Sequence, residues 1–480
     1  MDPWRWISAV AILKLGIFFC FCNGTFVIDV DHKFAGLGRN LTAYKAHDDG
    51  RHRRFLSAID LPLGGNGLPS SYGLYFAKIA LGNPPNDYYV QVDTGSDILW
   101  VNCVGCAKCP KISDLGVKLT LYDPRASSNS SSVYCGDKFC LSTYSNELPG
   151  CSKDILCQYK VVYGDGSTTA GYFVEDTVQL RQVTGNYETS TLNGSVIFGC
   201  GALQTGQLGS SSEALDGILG FGQANSSMLS QLAAAGKVRK VFSHCLDTVK
   251  GGGTFVIGET VSPKVNTTPL VPKQAHYNVL LQSIHVGGDN LEEFSSDVSS
   301  GGQETIIDSG TTLAYFPEAV YNGLMRRIIA TQPSLSLHTV EDSFQCFQFF
   351  GDVDAGFPDV TFLFQDNLTL IAHPHDYLFQ VNKKVWCFGW QASSYASKDG
   401  QTILLGDIVL SNKLVVYDLE KNVIGWTNYN CSASIKVREN ASSPTYSVGS
   451  HNLSSATTLS AGRLKTLFVF FFFALRHTLM

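Results

Sequence analysis

Val90-Gln-Val-Asp93-Thr94-Gly95-Ser96-Asp-Ile-Leu-Trp100 and Thr305-Ile-Ile-Asp308-Ser309-Gly310-Thr311-Thr-Leu-Ala-Tyr315 are two copies of one pattern. Each runs from an apolar strand through Asp-Thr/Ser-Gly-Ser/Thr into a second apolar strand. Each is followed by an element in which two apolar residues precede a glycine: Asp216-Gly-Ile-Leu-Gly220 after the first, Ile403-Leu-Leu-Gly406-Asp407 after the second. A single Asp-x-Gly is an ordinary turn. The same succession twice predicts two similar lobes, each carrying one carboxylate at its tip.

Two such carboxyls suit amide hydrolysis. One carboxylate takes a proton from water while a second carboxylic acid donates one. Held close together they cannot both ionise comfortably, so they share a proton and titrate as a pair. The flanking residues serve that arrangement. Gly95 and Gly310 let the chain turn beside the carboxylate. Thr94 and Ser309 are placed to hydrogen-bond between the loops, and Ser96 and Thr311 to donate to the outer carboxylate oxygens. Paired carboxylates also hydrolyse glycosides, but the symmetry of the loops and the lack of a separate aromatic sugar platform argue against that use.

Working outward, short apolar runs separated by Gly, Ser, Asn and Pro make the body from 72 to 431 an all-β structure. We divide it into a first lobe over 72–262 and a second over 263–431. The net charge of -6 offers no basic face for nucleic acid. Arg5 and the apolar run from Trp6 to Phe21, ending in small residues near Gly24, read as a signal peptide over 1–24. The basic segment 25–71 contains Arg51-His-Arg-Arg54, a processing site, and is expected to be a removable propeptide. Sequons at Asn40, Asn129, Asn193, Asn225, Asn266, Asn367, Asn440 and Asn452 fit a glycosylated, secreted chain. Asn430 also begins a sequon, but with Cys431 in its middle position.

The loops resemble the paired active-site loops of pepsin-like aspartic peptidases, and the likeness extends from Tyr75 to Trp426. In that family the shared proton of the aspartate pair is long established. The resemblance implies a bilobal fold with the cleft between two β-barrel lobes, no cofactor, no metal, a peptide or protein substrate, and a monomer. It makes Tyr163-Gly164-Asp165-Gly-Ser167 the flap hairpin, with Tyr163 the flap tyrosine and Trp100 its hydrogen-bond partner. Asp165 stands where many members carry a hydroxyl residue. The basic segment 25–71 would block the acidic cleft until removed. A member of this fold that has lost turnover would instead bind peptide or protein.

Of the 14 cysteines, 12 lie beyond the signal peptide, an even number suited to disulfides in an oxidising compartment. The run Cys103, Cys106, Cys109, Cys135, Cys140, Cys151 and Cys157 resembles the plant branch of the family that includes nepenthesin. The family resemblance suggests a Cys346–Cys387 bridge, and Cys200–Cys431 is the next expected link. The first-lobe pairings are not fixed by the sequence.

After Cys431 the residues 432–456 read as a polar, unpacked linker. The apolar tail Leu467 to Leu475 has nine residues, too few to span a bilayer, which needs about 20. Behind a polar spacer and small residues it reads as a glycosylphosphatidylinositol attachment signal over 457–480, with Ser454 or Ser455 the attachment residue. The expected location is the outer face of the plasma membrane.

Overall fold

The computed structural model describes residues 56–70, 73–144, 151–210, 212–294, 301–340, 344–393 and 401–453. The expected signal peptide, Arg51–Arg54, Asn40, Ser454, Ser455 and the apolar tail lie outside the described residues. The described chain is mostly strand, and it is a bilobal, all-β, pepsin-like fold.

The two carboxylate loops are built in the same way. Strand Asn86–Asp93 lies parallel to Gly217–Gly220, with Asp93 opposite Gly220, and Leu99–Ala107 pairs antiparallel with that same short strand. In the second lobe Gln303–Ile307 lies parallel to Ile403–Leu405, and Ala314–Phe316 pairs antiparallel with it. The apolar-apolar-Gly element is thus the short strand threaded between the two arms of each loop. Its last residue has no room for a side chain. A Cβ on Gly220 would meet the Asp97 backbone at 2.5 Å, and one on Gly406 the Leu313 carbonyl oxygen at 2.2 Å.

The lobes share a sheet. Asn266–Pro269, Val423–Asn428, Lys413–Asp418, Val241–Leu246, Gly253–Ile257 and Ile59–Asn66 follow one another in order, and the last leads on into the first lobe's strands. Its core is aromatic. Tyr417 stacks on Phe242 with ring centroids 4.4 Å apart, and Tyr277 meets Tyr417 edge-on at 4.7 Å. Rings packed this way contribute about 0.5–1.5 kcal/mol per pair beyond area burial. The loops therefore stand on a stiff floor.

Three sequence expectations need correction here. The first is the segment 25–71. Ile59–Asn66 is a buried strand, paired on one side with Gly253–Ile257 and on the other with Leu74–Leu81. It belongs to the sheet of the body, so a removable segment that included it would take out a central strand.

The second is the linker. Ile435–Arg438 pairs with both Glu259–Ser262 and Tyr446–Val448. Ile435, Val437 and Val448 are buried against Ala58, Val183 and Val256. His451 Nε2 then hydrogen-bonds the buried Asp60 carboxyl at 2.8 Å, and the Leu453 N–H donates to the Leu63 carbonyl at 2.9 Å. The alternation of Ile435 and Val437 is enough to bury one face of a strand despite the polar composition around it.

The third is Cys200–Cys431. Cys200 pairs with Cys103, and Cys431 with Cys245. Cys200 sits opposite Val101, two residues before Cys103, across a parallel ladder. Cys431 follows the strand Val423–Asn428, and Cys245 lies opposite Leu414 in the neighbouring ladder. The expected Cys346–Cys387 bridge is present, joining directly opposed residues. The insert is closed by Cys106–Cys109, Cys135–Cys151 and Cys140–Cys157. The sequons at Asn129, Asn193, Asn225, Asn266 and Asn367 are exposed, and Asn440 and Asn452 are half-buried.

Candidate active site

Asp93 and Asp308 end their strands pointing at one another's loops. The Gly95 N–H donates to Asp93 Oδ1 at 2.8 Å, and the Ser96 hydroxyl donates to Oδ2. The Gly310 N–H donates to Asp308 Oδ1 at 2.8 Å, and the Thr311 hydroxyl to Oδ2 at 2.7 Å. The approach is close enough to exclude side chains. A Cβ on Gly95 would lie 2.6 Å from Asp308 Oδ2, and one on Gly310 2.0 Å from Asp93 Oδ1. The two glycines are therefore required by the opposite carboxylate as well as by their own turns.

The loops are tied across the cleft. The Ser309 N–H donates to Thr94 Oγ1 at 2.8 Å, and Gln91 Nε2 reaches the Gly310 carbonyl at 3.2 Å. The link is one-sided, since Ser309 Oγ is buried without a partner. Burial, and next the charge of Asp308, push the Asp93 carboxyl up to about 7, against the opposing donors Ser96 and Gly95. One proton shared by the pair is the state that follows at acidic pH.

The sequence expectation had not placed Asp407 in the site. Its carboxyl is buried, with Oδ1 unpartnered, and its N–H donates to the Thr311 carbonyl at 2.7 Å. Burial first, then the charges of Asp308 and Asp93, hold it well above the ordinary carboxylate range. The signal was available in the repeat, because the first lobe has Phe221 where the second has Asp407.

The flap is the hairpin of Gln158–Val162 and Thr168–Gly185. Trp100 Nε1 donates to Tyr163 Oη at 2.7 Å, as expected. Burial raises the Tyr163 phenol well above its ordinary value, and the charge of Asp93 raises it further. Gly164 is open, and Gly166 takes φ +80°, which closes the turn. Asp165 Oδ1 accepts from the Ser167 N–H at 2.9 Å and its hydroxyl at 2.7 Å. Asp165 therefore caps the flap turn, a role a hydroxyl residue fills more weakly.

Sequence profiles described as "Xylanase inhibitor N-terminal" and "Xylanase inhibitor C-terminal" match residues 75–259 and 276–428. Aspartic proteinase 36 of Arabidopsis thaliana is 52% identical over 97% of this chain and 96% of its own length. Aspartic proteinase nepenthesin-2 of Nepenthes gracilis is 30% identical over 84% of this chain and 90% of its own. The chain belongs to the pepsin-like aspartic peptidase family, in its plant, nepenthesin-like branch. Basic 7S globulin from soybean has the same fold, with TM-score 0.59 and 21% identity, over 78% of this chain and 96% of that one. Conglutin gamma from lupine seeds does too, with TM-score 0.61 and 19% identity, over 78% and 95%.

Proposed function

We propose that this protein is an aspartic-type endopeptidase, active at acidic pH. The observation that carries the reading is the intact pair of loops. Each carboxylate keeps its own N–H and hydroxyl donors, and the two loops are linked through Ser309 and Thr94.

In the proposed reaction a water held between Asp93 and Asp308 attacks the scissile carbonyl carbon. The ionised carboxyl takes the water's proton, and the neutral one donates its proton to the carbonyl oxygen. The resulting gem-diol then collapses: one carboxylate takes the proton of a gem-diol hydroxyl as the C=O reforms, the C–N bond breaks, and the other carboxyl delivers its proton to the leaving nitrogen. The dyad ends with the single proton it began with. The flap closes over the peptide, excluding water and adding contacts that strengthen at the transition state.

Maturation is part of the proposal. With Ile59–Asn66 in the central sheet, the cut falls within Arg51–Arg54, before that strand. The mature enzyme is secreted as a monomer and held at the outer face of the plasma membrane by a lipid on Ser454 or Ser455. A second reading, a protein that binds peptides or proteins without turnover, has one support: the matching family descriptions name inhibitors.

Cleavage of denatured protein at acidic pH, with and without pepstatin, tests the function. Pepstatin-sensitive cleavage that Asp308→Asn abolishes is the expected result. Tight peptide binding without any cleavage would favour the second reading.

A further inference from the structure

Between the turn Pro374–Asp376 and the open end of the strand pair Lys413–Asp418 and Val423–Asn428 lies a cavity of about 370 Å³. None of the residues around it belongs to the catalytic loops or to the flap. Ligand pockets are mostly apolar, whereas no Leu, Ile, Val or Phe lines this one. His375, Asn428 and Asn430 are exposed at it, and the Lys413 side chain is only 3% exposed.

The acceptors of this cavity are mostly taken. Asp376 Oδ2 accepts from Lys413 Nζ at 2.9 Å and from the His373 N–H at 3.2 Å, and Oδ1 faces His375 Nε2 at 3.5 Å. The Asn412 side chain is bonded to Thr248 through both its oxygen and its nitrogen. Asn430 Oδ1 accepts the Ser432 N–H, and the Tyr429 hydroxyl donates to the Ser434 carbonyl. Donors are left over. An ammonium has three N–H bonds, and Lys413 uses two, on Asp376 and on the Ser411 carbonyl. Asn430 Nδ2 and the Asn428 amide have no partner among the described residues. The imidazoles add to these donors on acidification. His373 Nδ1 faces Asp359 at 2.9 Å and His375 Nδ1 faces Asp354 at 2.8 Å, so we assign a proton to each Nδ1. In a neutral ring Nε2 is then a lone pair, and in a charged ring it is a second donor. The two rings stack with centroids 5.5 Å apart. The carboxylates that face these cations, Asp354, Asp359 and Asp376, are each engaged already.

We propose that this cavity is an oxyanion site that takes a phosphate group at acidic pH. A tetrahedral oxyanion accepts from several donors at once, and bonds from charged His and Lys are the strong ones. Free phosphate and a lipid headgroup both offer that chemistry. The fold favours the headgroup. Asn412, on the cavity wall, is bonded to Thr248, and two residues further on the Lys250 carbonyl accepts from the Asn452 side chain. One loop, Asp247 to Gly252, thus holds both the cavity wall and the end of the described chain, where the Leu453 N–H is fixed to Leu63. A lipid on Ser454 or Ser455 is attached within about 7 Å of chain beyond Leu453. The choice of headgroup rests on the anchoring reading above; the site itself does not.

The test is calorimetric titration of the mature protein with inorganic phosphate and with glycerophosphoinositol, a diester whose single charge does not change with pH. The variants are His373→Gln/His375→Gln, at two partly exposed positions, and Asn428→Asp, which adds a negative charge at an exposed one. Melting temperatures check that each has folded. Wild type should bind both probes at acidic pH, and should bind the diester about 10-fold more weakly at slightly alkaline pH. The double variant should be about 10-fold weaker at acidic pH and lose the pH dependence, and Asn428→Asp should be weakened as far. A wild type that binds neither probe, or folded variants that bind as wild type does, would overturn the site. Cosedimentation with phosphatidylcholine vesicles, with and without phosphatidylinositol, separates the sources. Phosphate binding with no preference for phosphatidylinositol keeps the site and overturns the headgroup as its occupant. A mature protein without any lipid overturns the anchoring reading, and the phosphate titration still decides the site.

Discussion

Asp93 and His244 are buried groups that respond to pH in opposite senses. Burial and Asp308 raise the Asp93 carboxyl from 3.8 to about 7. An acid with a raised folded pKa loses stability as it is forced to ionise. Its contribution is therefore full below 3.8 and disappears as pH rises through about 7. Activity should fall as pH rises through about 7, as the shared proton leaves. Asp93→Asn should abolish turnover yet raise the melting temperature near neutral pH, and a melt against pH checks this. For His244, burial lowers the imidazole from 6.5 to about 3. The unfolded chain takes up that proton first, so stability is full above 6.5 and falls as pH drops towards about 3. The loss is on the order of 5 kcal/mol at most. His244→Gln should flatten the acid side of the melting curve. An acid slope identical to that of wild type would contradict this.

At the scale of elements, the flap and the tail make separable predictions. Tyr163→Phe removes the acceptor of the Trp100 bond, an interaction worth about 1 kcal/mol. We expect a roughly 5-fold loss in kcat/KM, and no further loss when Trp100→Phe is added. Val437→Ala should cost about 2 kcal/mol, because Val437 is buried against the body. Urea unfolding measures it, and an unchanged midpoint would mean that the tail does not pack.

These elements also separate what the sequence reveals from what it hides. The carboxylate loops are legible because their chemistry demands particular residue types at fixed local spacing, and they occur twice. The tail is hidden by its Ser- and Asn-rich composition, under which only Ile435, Val437 and Val448 carry the burial signal. Cys103–Cys200 and Cys245–Cys431 depend on ladder register between strands 97 and 186 residues apart, which no local pattern encodes. The hydrogen bond between His244 and Tyr417 is invisible for the same reason.

At the scale of the whole molecule, the Cys245–Cys431 bridge closes a loop that holds every residue of the second lobe, Asp308 included. Removing it should cost about 2–5 kcal/mol, read as a lowered unfolding midpoint in Cys245→Ser/Cys431→Ser. A peptidase at high concentration is also its own substrate. A cut at any loop between Cys245 and Cys431 would leave both fragments covalently attached, with Asp93 and Asp308 still in one molecule. Self-digested enzyme should therefore run as one band without reductant and as several with it. It should remain active until thiol is added, so that autolysis leaves scars in the second lobe before it ends activity.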